Sequence, residues 1–349
     1  MRRLTVCRIG AAVIAVAAGW VSVARAQPAG VAAEIPVDAV DIRGVKRTRP
    51  STVLSLLPRD PPAGFSADEI AELERRLNNL GIFDAVAVRI EGRRLIVELR
   101  EKWTLIPDVD LSTGRTFADT YVSLGLTEFN LAGTAASLGA TASWEERGPN
   151  GAVTWSQHEY NPRAGAFSAE AAYESASLRF ASGDAWYRDR AGGWIGWQPP
   201  YRHGAPLRGK VLAIGYHERI SRLQGTVVPP TGVTLGGGLE ISRDRYTWRD
   251  LDPSGYKIAV DLGGGRFVPA GQGRYYAAIH ALGAIAPTET TAPMGQVVAE
   301  AVNAGNANHS LLLSSQVGVR GLADAFYRNQ AQAYVNLEIR QAWRFAQRA

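Results

Sequence analysis

Two stretches of this 349-residue chain place residue types at spacings that ligand binding or catalysis uses. Gly204 to Lys210 reads GAPLRGK, the G-x-x-x-x-G-K spacing of a loop that cradles phosphates. That chemistry needs a hydroxyl at the next position and a helix behind it, whereas Val211 follows and the residues beyond it alternate like a strand. His217-Glu218 opens like the H-E-x-x-H zinc motif, but Ser221 stands where the second ligand would be. The five histidines have no ligand spacing among them, and no G-x-S-x-G elbow occurs. The glycine runs at 236–238 and 263–265 sit inside period-two segments, where close strand packing or a bend accounts for them better than a phosphate site. The expectation is no enzyme, no metal and no cofactor, so function has to reside in surfaces.

The elements that would carry such surfaces show a period of two through most of the chain. In GTAASLGATASWEE, Ala136, Leu138, Ala140, Ala142 and Trp144 share a face opposed to Ser137, Gly139, Thr141, Ser143 and Glu145. In YKIAVDLGGG the split is Tyr256, Ile258, Val260 and Leu262 against Lys257, Ala259, Asp261 and Gly263. FSAEAAYE repeats it, with Phe167, Ala169, Ala171 and Tyr173 on the apolar side. Segments of roughly ten residues with one apolar and one polar face predict a transmembrane β-barrel with a wet lumen. A soluble β-sandwich also alternates, but with strands of about five or six residues. Trp144, Tyr160, Trp194, Trp197 and Trp248 fall near segment ends, where interface girdles of a barrel would need them.

The amino terminus agrees with that class. Arg2, Arg3 and Arg8 precede an apolar run from Ile9 to Val23, and Ala24-Arg25-Ala26 offers a cleavage site, so residues 1–26 read as a secretory signal peptide. Removing them removes Cys7, the only cysteine, and with it any disulfide or thiolate-bound metal. It also removes four of the 38 Lys+Arg and none of the 33 Asp+Glu, leaving 34 basic against 33 acidic residues. Net charge therefore gives no argument for nucleic acid as a partner.

Residues 34–103 differ in composition, being charged and Leu-rich. VDAVDIRG predicts a first strand, and Pro50 suits the first turn of a short helix. A second helix begins at a capping box of Ser66 and Glu69 with Phe65 and Ile70 as a staple, and Gly81 ends it. FDAVAVRI and RRLIVELRE, separated by Glu91-Gly92, form a hairpin, giving the order β-α-α-β-β.

That order after a signal peptide, with Ile42-Arg43-Gly44, LNNLGIF at 77–83 and the closing LIVELRE, resembles a POTRA domain. The resemblance extends to the rest of the chain. LTEFNLAGT at 126–134 is similar to the opening signature of BamA/TamA-type outer-membrane assembly barrels. VGVRGL, with Val319, Arg320, Gly321 and Leu322, resembles the loop-six motif of those proteins, and YVNLEIR, with Asn336, Glu338 and Arg340, resembles the strand that follows it. The family pattern has an aromatic where Leu322 stands and often a glycine within the RNQAQ stretch at 328–332.

The resemblance implies a fold: a small α+β POTRA-like domain at 34–103, followed at 104–349 by an antiparallel transmembrane β-barrel with about twelve strands present and the last of about sixteen missing. The chain thus reads as a fragment, a decayed copy or an unusually closed barrel. Arg320 would fold into the lumen and hold a wall carboxylate bidentately. Unfolded outer-membrane clients would add as a strand to the edge formed by Phe83, Ala85, Val86, Val88 and Ile90. Arg89, Arg93 and Arg94 leave open the alternative that this edge is merely solvated and blunted. The implied partners are such clients, the outer membrane and accessory lipoproteins, with the POTRA-like domain in the periplasm. A two-partner-secretion transporter and a porin-like or inert remnant are the alternatives.

Overall fold

The structure, a computed structural model, describes residues 34–112, 121–145, 148–158, 165–179, 183–200, 207–225, 230–245, 247–249, 252–268, 272–284, 291–304, 311–313, 327–329 and 331–341. The expected signal peptide, Tyr160 and the Val319–Leu322 motif lie outside these residues.

The first part is a small α+β unit built of β1 (Ile35–Val37), β2 (Ala39–Arg43), α1 (Pro50–Leu54), β3 (Ala63–Phe65), α2 (Ala67–Asn79), β4 (Phe83–Glu91) and β5 (Arg94–Glu101). The stretch expected to form one strand is two. Asp38 breaks it, with β1 pairing β3 while β2 runs parallel to β5. The Arg93 guanidinium binds the Asp38 carboxylate at 2.6 Å and holds it below the ordinary carboxyl pKa, which fixes the break. Gly44 closes β2 at φ +86, and a Cβ there would run into the carbonyl oxygen of Leu99. The capping box of α2 is present: the Ser66 hydroxyl accepts from the Glu69 N–H at 3.2 Å and the Glu69 carboxylate accepts from the Ser66 N–H at 2.9 Å. Gly81 and Gly92 take positive φ after α2 and between β4 and β5. The core gathers Val53, Leu56, Phe65, Leu73, Leu77, Leu95, Val97 and Leu99 between the helices and one face of the three-stranded sheet, whose order is β2-β5-β4.

The rest forms β6 (Leu105–Ser112), β7 (Tyr121–Leu131), β8 (Ala136–Glu145), β9 (Gly148–Ser156), β10 (Ala166–Arg179), β11 (Ala185–Gln198), β12 (Arg208–Gln224), β13 (Gly232–Asp244), β14 (Thr247–Arg249), β15 (Asp252–Val268), β16 (Gln272–Ala284), β17 (Thr291–Ala304), β18 (Leu311–Leu313), β19 (Tyr327–Asn329) and β20 (Ala331–Gln341). Twelve of these pair in chain order, β6 to β13, then β15, β16, β17 and β20, as one antiparallel meander, with β14 a short branch on β15. Among the described residues no pairing joins β6 to β20. Because directions alternate, the turns after β7, β9, β11, β13 and β16 all lie at the end of the sheet from which β6 leaves the small unit.

The two faces differ as the period predicts. Leu124, Leu126, Ile195, Val211, Leu235, Val335, Leu337 and Ile339 are exposed on one face, Leu337 by 84%. The opposite face carries hydroxyls and ion pairs, including Arg190–Glu218 at 2.5 Å, with Glu218 only 1% exposed. A sheet with exposed aliphatic side chains on one face and its charges on the other suits an apolar solvent on the first face and water on the second.

Trp144 and Trp197 stand exposed on the apolar face, as expected for girdles. Trp194 does not join them. Ile195 and Trp197 hold the apolar face of β11, so the pleat turns Trp194 to the wet one, where the Lys210 ammonium lies 4.8 Å from its ring centroid. The glycine runs make room for strand packing and an aromatic. A Cβ at Gly263 would strike the Tyr276 ring, and one at Gly238 would lie 3.3 Å from the same tyrosine's hydroxyl, so this ring lies flat across three strands.

Candidate functional site

Three places could act on a partner. The first is the edge of the small sheet. β5 is central, so among the described residues β4 presents one row of backbone groups that no strand pairs with, and β2 the other. Phe83 turns into the core, Val86, Val88 and Ile90 pack against it, and Ala85 is exposed. A register shift between Phe83 and Ala85 leaves Asp84 as a bulge, its carboxylate paired with Arg100, so regular pairing along the edge starts at Ala85. The helix-free face of this sheet is a charge lattice. Arg89 donates to both oxygens of Glu98 at 2.7 Å and reaches Glu91 at 2.7 Å, while Arg43 bridges Asp41 and Glu98. Arg89, first among its neighbours, keeps the Glu98 carboxyl below the ordinary range. Arg89, the arginine of β4, is thus engaged along the sheet face, and among the described residues no strand pairs with the backbone edge beside it.

The second place is the junction. The Glu101 carboxylate, at the end of β5, accepts the backbone N–H groups of Lys46, Arg47 and Thr48 at 3.1, 3.0 and 2.6 Å. Burial pushes this carboxyl up, but the Thr48 side chain and the three N–H groups outweigh it and hold the pKa below the usual glutamate range. The same loop grips the β7–β8 turn. Arg47 donates to Thr104 Oγ1 at 3.2 Å and to Glu128 at 3.3 Å, and Asn130 Nδ2 donates to Thr48 Oγ1 at 3.0 Å. The Arg49 N–H and the Thr52 hydroxyl both donate to Gly133 O, at 2.9 and 2.8 Å. Gly133 sits at φ +76, where a Cβ would collide with Arg47 O, and Ala135 belongs to the small unit's core. The stretch Asn130-Leu131-Ala132-Gly133, within LTEFNLAGT, is therefore a docking turn, a role its sequence did not disclose because the partner loop lies about eighty positions earlier.

The third place is the wet face. Asn336 and Glu338 of β20 lie opposite Gln296 and Met294 of β17, and Arg340 opposite Ala292. β17 and β20 are hydrogen-bonded neighbours, so the chain between them is a long excursion. Its arms pair as β18 and β19, and residues 319–322 fall between those arms in sequence. Glu218, which opened like a zinc motif, is engaged by Arg190 instead.

No protein-family model matches this sequence, and no curated protein is similar to it. Solved structures are similar in fold. The crystal structure of BamA from Haemophilus ducreyi lacking POTRA domains 1-3 aligns with TM-score 0.53 at 13% identity, over 83% of this chain and 60% of that one. CdiB from Acinetobacter baumannii aligns with TM-score 0.57 at 13% identity, over 89% and 61%, and CdiB from Escherichia coli with 0.50 at 11%, over 90% and 78%. The chain has the fold of BamA- and CdiB-type barrels, and it spans about three fifths of the first two structures.

Proposed function

We propose that this protein is a non-enzymatic outer-membrane assembly factor, exported by its amino-terminal signal, whose POTRA-like unit in the periplasm receives unfolded β-barrel clients and whose barrel inserts them. The observation that carries this reading is the free, regular edge from Ala85 to Ile90, on a unit clamped to a sheet whose outer face is aliphatic. Strand addition needs only that unpaired backbone row, and an added strand would bring an unfolded client beside the sheet end. In the same reading Arg320 folds into the lumen and locks the excursion between β17 and β20, and accessory lipoproteins bind the unit. The alternative, a two-partner-secretion-type transporter that exports one extended client, is favoured by the cleft of about 640 Å³ between the small unit and the wet face of β7–β9.

Depletion followed by proteomics of the outer membrane separates the two. Loss of many barrel proteins is expected for assembly, loss of one secreted protein for export, and an unchanged proteome would refute both. Arg320→Ala is expected to lower the temperature of the heat-dependent gel shift, and an unchanged shift would remove the lumenal lock.

A further inference from the structure

Strand parity puts a few charged side chains on the aliphatic face of the large sheet. Beyond the exposed Val211, β12 carries Ala213, Gly215, His217 and Arg219 on that face, and beyond the exposed Leu262, β15 carries Gly264 and Arg266. Gly215, Leu235 and Arg266 form one row across β12, β13 and β15. Arg219 therefore lies about 13 Å along β12 from Gly215, and Arg266 two strand spacings, about 10 Å, across from it. His217, Arg219 and Arg266 are all exposed, toward the end of the sheet opposite the small unit. Among the described residues of β10 to β15, that end of the face holds one carboxylate, Asp189, which stands opposite Arg219 and accepts from the Ser175 hydroxyl at 2.7 Å. Neither Arg219 nor Arg266 forms an ion pair among the described residues. Hydrocarbon offers a guanidinium nothing to bond with, so two of them on this face call for an anion at headgroup level, where a long side chain can carry its charge. Phosphate is the anion that a guanidinium holds bidentately.

On the same face, β9 to β12 form a shallow groove of about 590 Å³ with an almost wholly apolar lining. Val153, Trp155 and Ile195 stand along it, and Ala171, Gly193 and Gly215 form its floor. Gly215 also begins the run that leads to His217 and Arg219, so the groove opens directly onto the cations. Hydrocarbon surface that ends at uncompensated positive charge matches an amphiphile with an anionic head. The two arginine Cα positions are about 16 Å apart, a spacing that suits a headgroup with two phosphates better than one with a single phosphate.

We propose that the groove and its rim of His217, Arg219 and Arg266 bind one phosphate-bearing lipid, with an acyl chain against the Ala-Gly floor and the headgroup phosphates on the two guanidiniums. The proposal rests on the reading that the aliphatic face meets lipid. The test folds the full-length chain into phosphatidylcholine vesicles that also hold a diphosphorylated glycolipid, extracts it in mild detergent, and counts the retained glycolipid by native mass spectrometry. The native chain is expected to retain one molecule. The double variant Arg219→Ala, Arg266→Ala is expected to lower retention about tenfold. Ala171→Trp, which fills the groove and leaves the cations in place, should do the same. Arg243→Ala, on the same face at the other end of β13, should leave retention unchanged. Retention that persists in the double variant, or that is lost in Arg243→Ala alone, overturns the site, as does a second copy of the chain retained in place of the glycolipid. Loss in the double variant with full retention in Ala171→Trp overturns the groove as the acyl seat. No retention by a native chain that shows its heat-dependent gel shift overturns the site and leaves the lipid-facing reading intact, whereas a chain that stays out of the vesicles overturns both.

Discussion

Glu101→Gln isolates the carboxylate that organises the junction. In the native protein three consecutive backbone N–H groups converge on a charged acceptor. A bond to a charged group contributes about 1.5–3 kcal/mol and a neutral one about 0.5–1.5, so the amide loses about 1 kcal/mol per donor. Three donors give about 3 kcal/mol, and partial solvent exposure reduces this to about 2. At about 1.4 kcal/mol per tenfold, amides from Lys46 to Thr48 are expected to exchange with deuterium about thirtyfold faster in the variant at neutral pH. The pH dependence carries the sharper test. The folded-state pKa is depressed below the usual 4.5, so the stabilisation is fully present above that value and lost as pH falls through the lower folded one. The ratio between the two proteins should therefore shrink toward one in acid. A ratio that is the same at pH 3.5 and pH 7, or below threefold throughout, would refute the assignment of this stabilisation to the charge.

Other perturbations test the remaining features. Gly44→Val adds a collision with Leu99 O to a positive φ, and far-UV circular dichroism and exchange should show the small unit unfolded while the large sheet persists. Gly263→Val displaces the Tyr276 ring from the wet face, and the temperature of the heat-dependent gel shift is expected to fall by several degrees. Arg190→Ala strips the guanidinium from the buried Glu218, a change that costs about 3–5 kcal/mol in buried pairs and should appear as a lower urea midpoint. Leu337→Arg places a charge on the apolar face, and folding into lipid vesicles should weaken by up to about 2–4 kcal/mol, while the same change at Asn336 on the other face should cost little.

The features legible in the sequence are those written locally. The alternation of residues 136–145 and 256–263, the Ser66–Glu69 box and the positive-φ glycines at 81 and 92 each depend on neighbours within a turn or a strand. What sequence did not disclose depends on distant partners. Asp38 breaks a strand because Arg93 waits 55 positions away. Trp194 looks like its neighbour Trp197 in composition and differs from it only in strand parity. The docking role of Gly133 exists only against Arg47 and Arg49. The free edge at β4 was legible because a hairpin on a three-stranded sheet leaves few orders, while the Asp84 bulge that trims it was not.

Ala135 completes the core of the small unit, yet it follows β6 and β7 in the chain. A polypeptide delivered amino terminus first therefore cannot complete this core until β6 and β7 have also emerged. Completion of the small unit's core is thereby coupled in time to the appearance of the first hairpin of the large sheet. A cleavage or truncation at the apparent boundary near residue 103 would leave that unit without the turn that seals it.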